Sequence, residues 1–305
     1  MKTSYQIATV YGIPLRLDLS LLILLGMVWV GSFRQCNNIL TAILQGTTWA
    51  LLLLLSIILH ELGHGVLALR YGCTVRGITL TMLGGRAELT HLPAQPAAEF
   101  NLAVAGPLVS LALWQGGAYG ATYFSSLPPT PASAYATHAL AALAYLNVRL
   151  FWFNLVPAFP MDGGRILRAL LAHRLGRLHA TRIAVNIGRL LTVLTLLWLL
   201  TGPAQIHLGY HEGTLAGWAY AFGPIQLHFN RLILGLMAVF MLFAAEQEYR
   251  LVRLESEFTR NGQRAPWLSP IPPEEQIKTS QPPQHRGSID FRADHEKPRW
   301  WQWWQ

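Results

Sequence analysis

Charge is what this sequence has least of. Asp, Glu, Lys and Arg together make up 12% of its 305 residues, against roughly 25% in an ordinary soluble domain. With 52% of residues apolar, that share speaks against a water-soluble globular enzyme. Cysteine is scarce as well. Cys36 and Cys73 are the only two, too few for a disulfide framework or a cysteine zinc cage, and they read as isolated thiols. The body carries no Lys/Arg stripe and no basic patch interleaved with aromatics, so the net charge of +8 does not point to nucleic acid. At the start, a polar stretch precedes any apolar run and no small-residue cleavage site follows one, so no removable signal peptide is expected.

What charge there is lies unevenly. Residues 246–305 hold 9 of the 23 Lys/Arg and 9 of the 15 Asp/Glu, leaving the first 245 residues with 14 basic and 6 acidic groups. The expected organisation is therefore an intramembrane domain over 1–245, followed by a cytoplasmic helical extension and disordered tail over 246–305. Six apolar stretches approach the roughly 20 residues a bilayer core requires: Leu19–Phe33, Thr47–Leu69, Phe100–Phe124, Thr137–Pro160, Ile183–Leu200 and Leu232–Ala245. With the N-terminus cytoplasmic, 20 of the 23 basic residues fall on the inner side and only Arg34, Arg149 and Arg231 do not. This bias sets the orientation and places both termini in the cytoplasm. The fourth stretch contains Asn147, Arg149, Asn154 and Pro157. Polar groups at that depth are tolerated around a cavity, so a wet interior is expected and Arg149 should face the bundle or water.

The second stretch carries His60-Glu61-Leu62-Gly63-His64. Residues four apart on a helix lie one turn apart on nearly the same face, so both imidazoles can reach one Zn²⁺. Glu61, about 100° further round, can act as general base without being a ligand. Composition alone would produce H-E-x-x-H roughly 0.014 times in a chain like this, and two His and a Glu inside a span are functional by default. A catalytic zinc site takes a third protein ligand and keeps one position open. The candidate is Asp162, in Phe153-Asn154-Leu155-Val156-Pro157-Ala158-Phe159-Pro160-Met161-Asp162-Gly163-Gly164-Arg165. Pro157 and Pro160 interrupt a helix there, Gly163-Gly164 permits sharp turning and close approach, and Asp162 is expected on a loop that swings its carboxylate to the metal. Alone, an Asp before Gly-Gly is more often a turn residue.

Together these motifs resemble the site-2 protease family of intramembrane zinc metalloproteases, prokaryotic type. HELGH matches the family's HExxH, FNLVPAFPMDGGR matches its Asn-x-x-Pro…Asp-Gly-Gly element, and the likeness extends over about residues 8–200. The resemblance implies a polytopic α-helical membrane bundle in a bacterial plasma membrane, with His60, His64 and Asp162 holding one Zn²⁺ per chain. It implies Glu61 as base and Asn154 as a polar group near the reacting carbonyl. A helix–helix hydrogen bond is the other reading of Asn154. The implied activity is endoproteolysis in or near a transmembrane segment of a membrane protein, with lipid as surroundings and a regulatory membrane partner left open. Met161, where Leu is common, and Arg149 depart from the family pattern.

A transmembrane substrate must unwind before its carbonyls can react, and something must then hold it extended. Thr74–Leu89 alternates ahead of Gly84-Gly85 and is expected to form a short hairpin at the cytoplasmic face, with Gly12–Leu17 as a further strand. An exposed edge there could pair with substrate; a hairpin that only seals a loop is the other reading. Ala103, Ala105, Gly106 and Pro107 read as packing residues of the third span. The tail is expected to stay helical to about Thr259 and to be disordered beyond Asn261. Its end, Trp300-Trp301-Gln302-Trp303-Trp304, suits a membrane interface or an end without function. Two further functions are weighed: a catalytically silent scaffold for client helices, and a metal or solute transporter. The complete His60, Glu61, His64 and Asp162 set argues against the first, and no inverted repeat supports the second.

Overall fold

A computed structural model of the chain describes residues 4–10, 12–33, 38–81, 84–89, 95–201, 206–208, 225–227 and 231–261. The chain divides into two compact units, Met1–Leu268 and Ser269–Gln305. The second, with the Trp-ended tail, lies outside the described residues.

Strands β1 (Ser4–Val10) and β2 (Ile13–Asp18) form an antiparallel pair and lead directly into helix α1 (Leu19–Ser32). Asp18 starts that helix, its carboxylate accepting the Ser20 N–H at 2.9 Å, because the first turn has N–H groups with no partner inside the helix. Asn38 does the same for α2 (Ile39–Arg70), accepting from Leu40 N–H at 2.8 Å. That cap moves the helix start well ahead of the apolar run expected from Thr47. Strands β3 (Val75–Thr81) and β4 (Gly84–Leu89) form the expected hairpin. β2 lies parallel to β3, so the sheet order is β1-β2-β3-β4. The two helices between β2 and β3 provide the long crossover that parallel neighbours require.

α3 runs Pro96–Ser125 and α4 Pro131–Asn154, the latter opened by a Thr130/Ser133 capping box. Residues 155–161 then carry the expected proline break, and α5 (Asp162–Leu175) begins immediately after it. Here the structure differs from expectation. Asp162 is the first residue of a helix, not a loop residue, so its backbone is held by the turn that follows. Gly163 and Gly164 have no left-handed backbone; what they supply is closeness. A Cβ on Gly164 would lie 2.7 Å from the Ala158 carbonyl carbon, and one on Gly163 would meet the Val156 and Leu155 carbonyls. α6 (Arg177–Thr201), the short antiparallel pair β5 (Ile206–Leu208) and β6 (Ile225–Leu227), and α7 (Arg231–Arg260) complete the described chain.

Among the described residues the protein is mostly helical, with one four-stranded sheet and the separate two-stranded β5–β6 pair. Among the described residues three helices, α2, α3 and α6, are long and apolar enough to cross a membrane, and α1 is a shorter apolar helix. Ile13, Leu15, Ile78 and Leu80 of the sheet are buried against Leu21 of α1 and Ile57 of α2, which fixes the sheet beside the middle of α2. α3 and α4 meet through Trp114, Ala118, Ala144 and Val148. Buried Asn147 links α4 to α2, its amide donating to Ser56 Oγ at 2.8 Å. Arg149 folds back over the Tyr145 ring, 3.2 Å from its centroid, so its charge is shared with an aromatic face.

Candidate metal centre

One helix supplies three of the residues singled out from sequence. His60, Glu61 and His64 of α2 are all buried. The fold brings Asp162 of α5 to the two imidazoles across a hundred residues of chain. His60 Nε2 lies 3.2 Å from Asp162 Oδ2, His64 Nε2 lies 3.1 Å from the same oxygen, and the two Nε2 atoms are 3.3 Å apart. Among the described residues this is the group of three that could hold a metal ion.

The outer ring nitrogens decide what the inner ones can be. His64 Nδ1 is 2.7 Å from the Leu102 carbonyl of α3. A carbonyl only accepts, so Nδ1 carries the hydrogen and a neutral His64 turns a bare lone pair toward Asp162. His60 Nδ1 sits 2.9 Å from Ser110 Oγ, also on α3. With His60 in the same tautomer, donating Nδ1–H to the Ser110 hydroxyl, two lone pairs and a carboxylate oxygen would face one another at about 3 Å, an arrangement that a cation among them relieves. Tetrahedral zinc with bonds of about 2.0–2.1 Å spaces its ligands roughly 3.3 Å apart, and the three observed separations match that edge. Two imidazoles and a carboxylate are also a donor set that suits zinc. The residues therefore fit the ion.

Two glycines that sequence reasoning treated lightly turn out to border this centre. A Cβ on Gly106 of α3 would lie 2.7 Å from His60 Nε2 and nearer still to His64 Nε2. The packing it permits is against the ligand atoms themselves. Gly85, expected only as a turn residue, donates its N–H to Glu61 Oε1 at 3.0 Å. Among the described residues β4 ends the strand order, so this N–H leaves the outer edge of the sheet and ties it to Glu61. Any Cβ on Gly85 would strike the Glu61 side chain. Asn154, the last residue of α4, donates one amide hydrogen to Leu150 O at 2.9 Å.

Sequence reasoning missed Ser110 and Leu102 because a hydroxyl and a backbone carbonyl on an apolar helix carry no spacing signal. It also took Arg168 only as one more basic group of the inner side and did not foresee its burial between Glu99 of α3 and Glu248 of α7.

The helical architecture and the His-His-Asp cluster define a class, and comparison with known proteins agrees. The chain belongs to the site-2 protease family: the model of peptidase family M50 matches residues 48–126 and 124–197. The solved site-2 protease from Methanocaldococcus jannaschii superimposes with a TM-score of 0.53 at 34% identity, over 81% of this chain and 95% of that one. The chain is 34% identical over 259 residues to a zinc metalloprotease of M. jannaschii, covering 85% of this chain and 64% of that protein. It is 29% identical over 167 residues to the stage IV sporulation protein FB of Bacillus subtilis, covering 54% of this chain and 55% of that protein. It therefore spans less than two thirds of the length of either curated relative.

Proposed function

We propose that this chain is a zinc endopeptidase that hydrolyses a peptide bond in or near a transmembrane segment of another membrane protein. The observation that carries the reading is the convergence of His60, His64 and Asp162, from α2 and α5, at ligand–ligand spacing inside a helical bundle. These three would hold one Zn²⁺ per chain. When bound, zinc supplies Lewis acidity, acidifying water and polarising a carbonyl.

The chain's own residues supply the rest. Glu61 serves as general base, taking a proton from the attacking water and later delivering it to the leaving amine. Its Oε1 is held by the Gly85 N–H, which leaves Oε2 as the oxygen to carry that proton. Asn154 keeps one amide hydrogen on Leu150 O and has a second to offer a developing oxyanion, where one donor is typically worth about 2.7–4 kcal/mol. An unwound substrate segment would add to the open edge of β4, beside Glu61.

The bundle crosses the membrane six times in this reading, through α1, α2, α3, α4, α6 and the part of α7 up to Ala245. Residues 1–245 form the intramembrane domain, 246–305 the cytoplasmic extension, and both termini face the cytoplasm, where the basic residues concentrate. The test is bound-zinc analysis of the purified chain together with proteomics of membranes holding wild type or Glu61→Gln. Glu61→Gln should keep zinc and accumulate uncut membrane proteins, whereas His64→Ala should lose the metal. Equal processing by wild type and Glu61→Gln would remove the enzyme reading.

A further inference from the structure

Arg168 is among the largest fully buried side chains in the protein, 1% exposed. A guanidinium out of water is costly unless both its charge and its hydrogens are met. Here they are met from two directions. Nε donates to Glu99 Oε1 at 2.7 Å and Nη2 lies 2.5 Å from the same oxygen; Nη1 reaches Glu248 Oε1 at 2.5 Å. The Phe159 ring lies 5.0 Å from the guanidinium carbon. Arg165 and Arg177 add positive charge near Glu248.

The positions of these partners give the cluster a meaning beyond stability. Glu99 lies three residues, just under one helical turn, before Leu102, whose carbonyl accepts from His64 Nδ1. The same helix, α3, carries Ser110 against His60 and Gly106 against both Nε2 atoms. Arg168 sits on α5, the helix whose first residue is Asp162. One side chain therefore joins the helix that orients both imidazoles to the helix that delivers the carboxylate. Arg suits that task because its planar fork fixes direction as well as distance. Zinc ligands must be placed to about 0.2 Å, so a small slide of α5 along α3 matters at the metal while leaving the bundle intact.

We propose that Arg168 is a positioning residue for the metal centre: its grip on Glu99 sets α5 against α3 and so sets Asp162 against His60 and His64. The Glu248 arm ties α7 to the same point and serves attachment of that helix. This inference rests on reading His60, His64 and Asp162 as a zinc site.

The test uses the full chain purified in detergent, with zinc affinity measured by chelator competition. Thermal unfolding is followed for the same samples, both metal-free and zinc-loaded. Arg168→Lys and Glu99→Gln should weaken zinc binding about tenfold, the low end of what removing a ligand's own hydrogen-bond partner costs, and should narrow the gap between loaded and metal-free unfolding temperatures. Glu248→Gln should change zinc affinity less than twofold while loosening α7. Zinc affinity within twofold of wild type in Arg168→Lys and Glu99→Gln, with both unfolding temperatures lowered equally, would show a merely structural ion pair and overturn the proposal. A wild-type chain that binds no zinc would instead sink the metal-site reading on which it stands.

Discussion

At the residue scale, the centre depends on atoms that are missing as much as on those present. Gly106 leaves room in front of the two Nε2 atoms, and Gly85 lets the sheet edge touch Glu61. Gly85→Ala should therefore push the base aside without touching a ligand. Because displacement of a reacting group by about 1 Å can cost roughly 10²-fold, cleavage of a model transmembrane substrate should fall by about that factor while bound zinc stays at wild-type level. Gly106→Ala should act on the other quantity, since its Cβ would collide with the ligand nitrogens; zinc content is the measurement. Ser110→Ala removes the partner of His60 Nδ1 and should weaken zinc about tenfold, read by chelator competition. Of these residues only the glycines' smallness is visible in a sequence, and smallness in a membrane helix reads first as helix packing. What each one faces is set by another helix or strand.

At the scale of elements, the helix break at 155–161 was legible because proline chemistry is a local rule. The Asp18 cap is local too, but it emerged only with the structure. The helical start of α5 at Asp162 was not legible, because it depends on backbone contact between Gly163-Gly164 and residues 155–159. Gly164→Ala inserts a methyl where there is no space, so it should destabilise the protein by about 1–3 kcal/mol, seen as a lower unfolding temperature. α7 offers a pH test. Burial raises the Glu248 carboxyl, but Arg168, then Arg165 and Arg177, outweigh it and hold Glu248 below the ordinary carboxylate range. A depressed folded value contributes stability above the unfolded value, about 4.3, and loses it as pH falls through the folded one. Protection of α7 beyond Ala245 in hydrogen exchange should accordingly weaken on acidification below about pH 4.3. Glu248→Gln should flatten that response. Arg177–Glu255 at 3.1 Å and the Arg189–Glu246 pair lie nearer water and should contribute little to it.

At the scale of the whole molecule, the division between what the chain announces and what the fold arranges follows the range of the interactions. Scarcity of charge and the apolar stretches were enough to place the protein in a membrane, and the distribution of Arg and Lys supplies the orientation proposed above. Reporter fusions at residues 1 and 305 should both signal the cytoplasm, and one between Ser125 and Pro131 should signal the opposite side; any other pattern contradicts the six-crossing orientation. The pairing of His60 with His64 was also local, since a helix of known pitch puts residues four apart on one face. The proline break and family likeness singled out Asp162, yet only tertiary structure brings its carboxylate to 3.1 Å from His64. Only tertiary structure buries Arg168 between two carboxylates, aims Leu102 O and Ser110 at the imidazoles, and lays the edge of β4 on Glu61. Periodicity and capping are written within a turn or two of chain, whereas contacts between α2, α3, α5 and the sheet join residues tens of positions apart through backbone groups that every residue possesses and no sequence pattern marks.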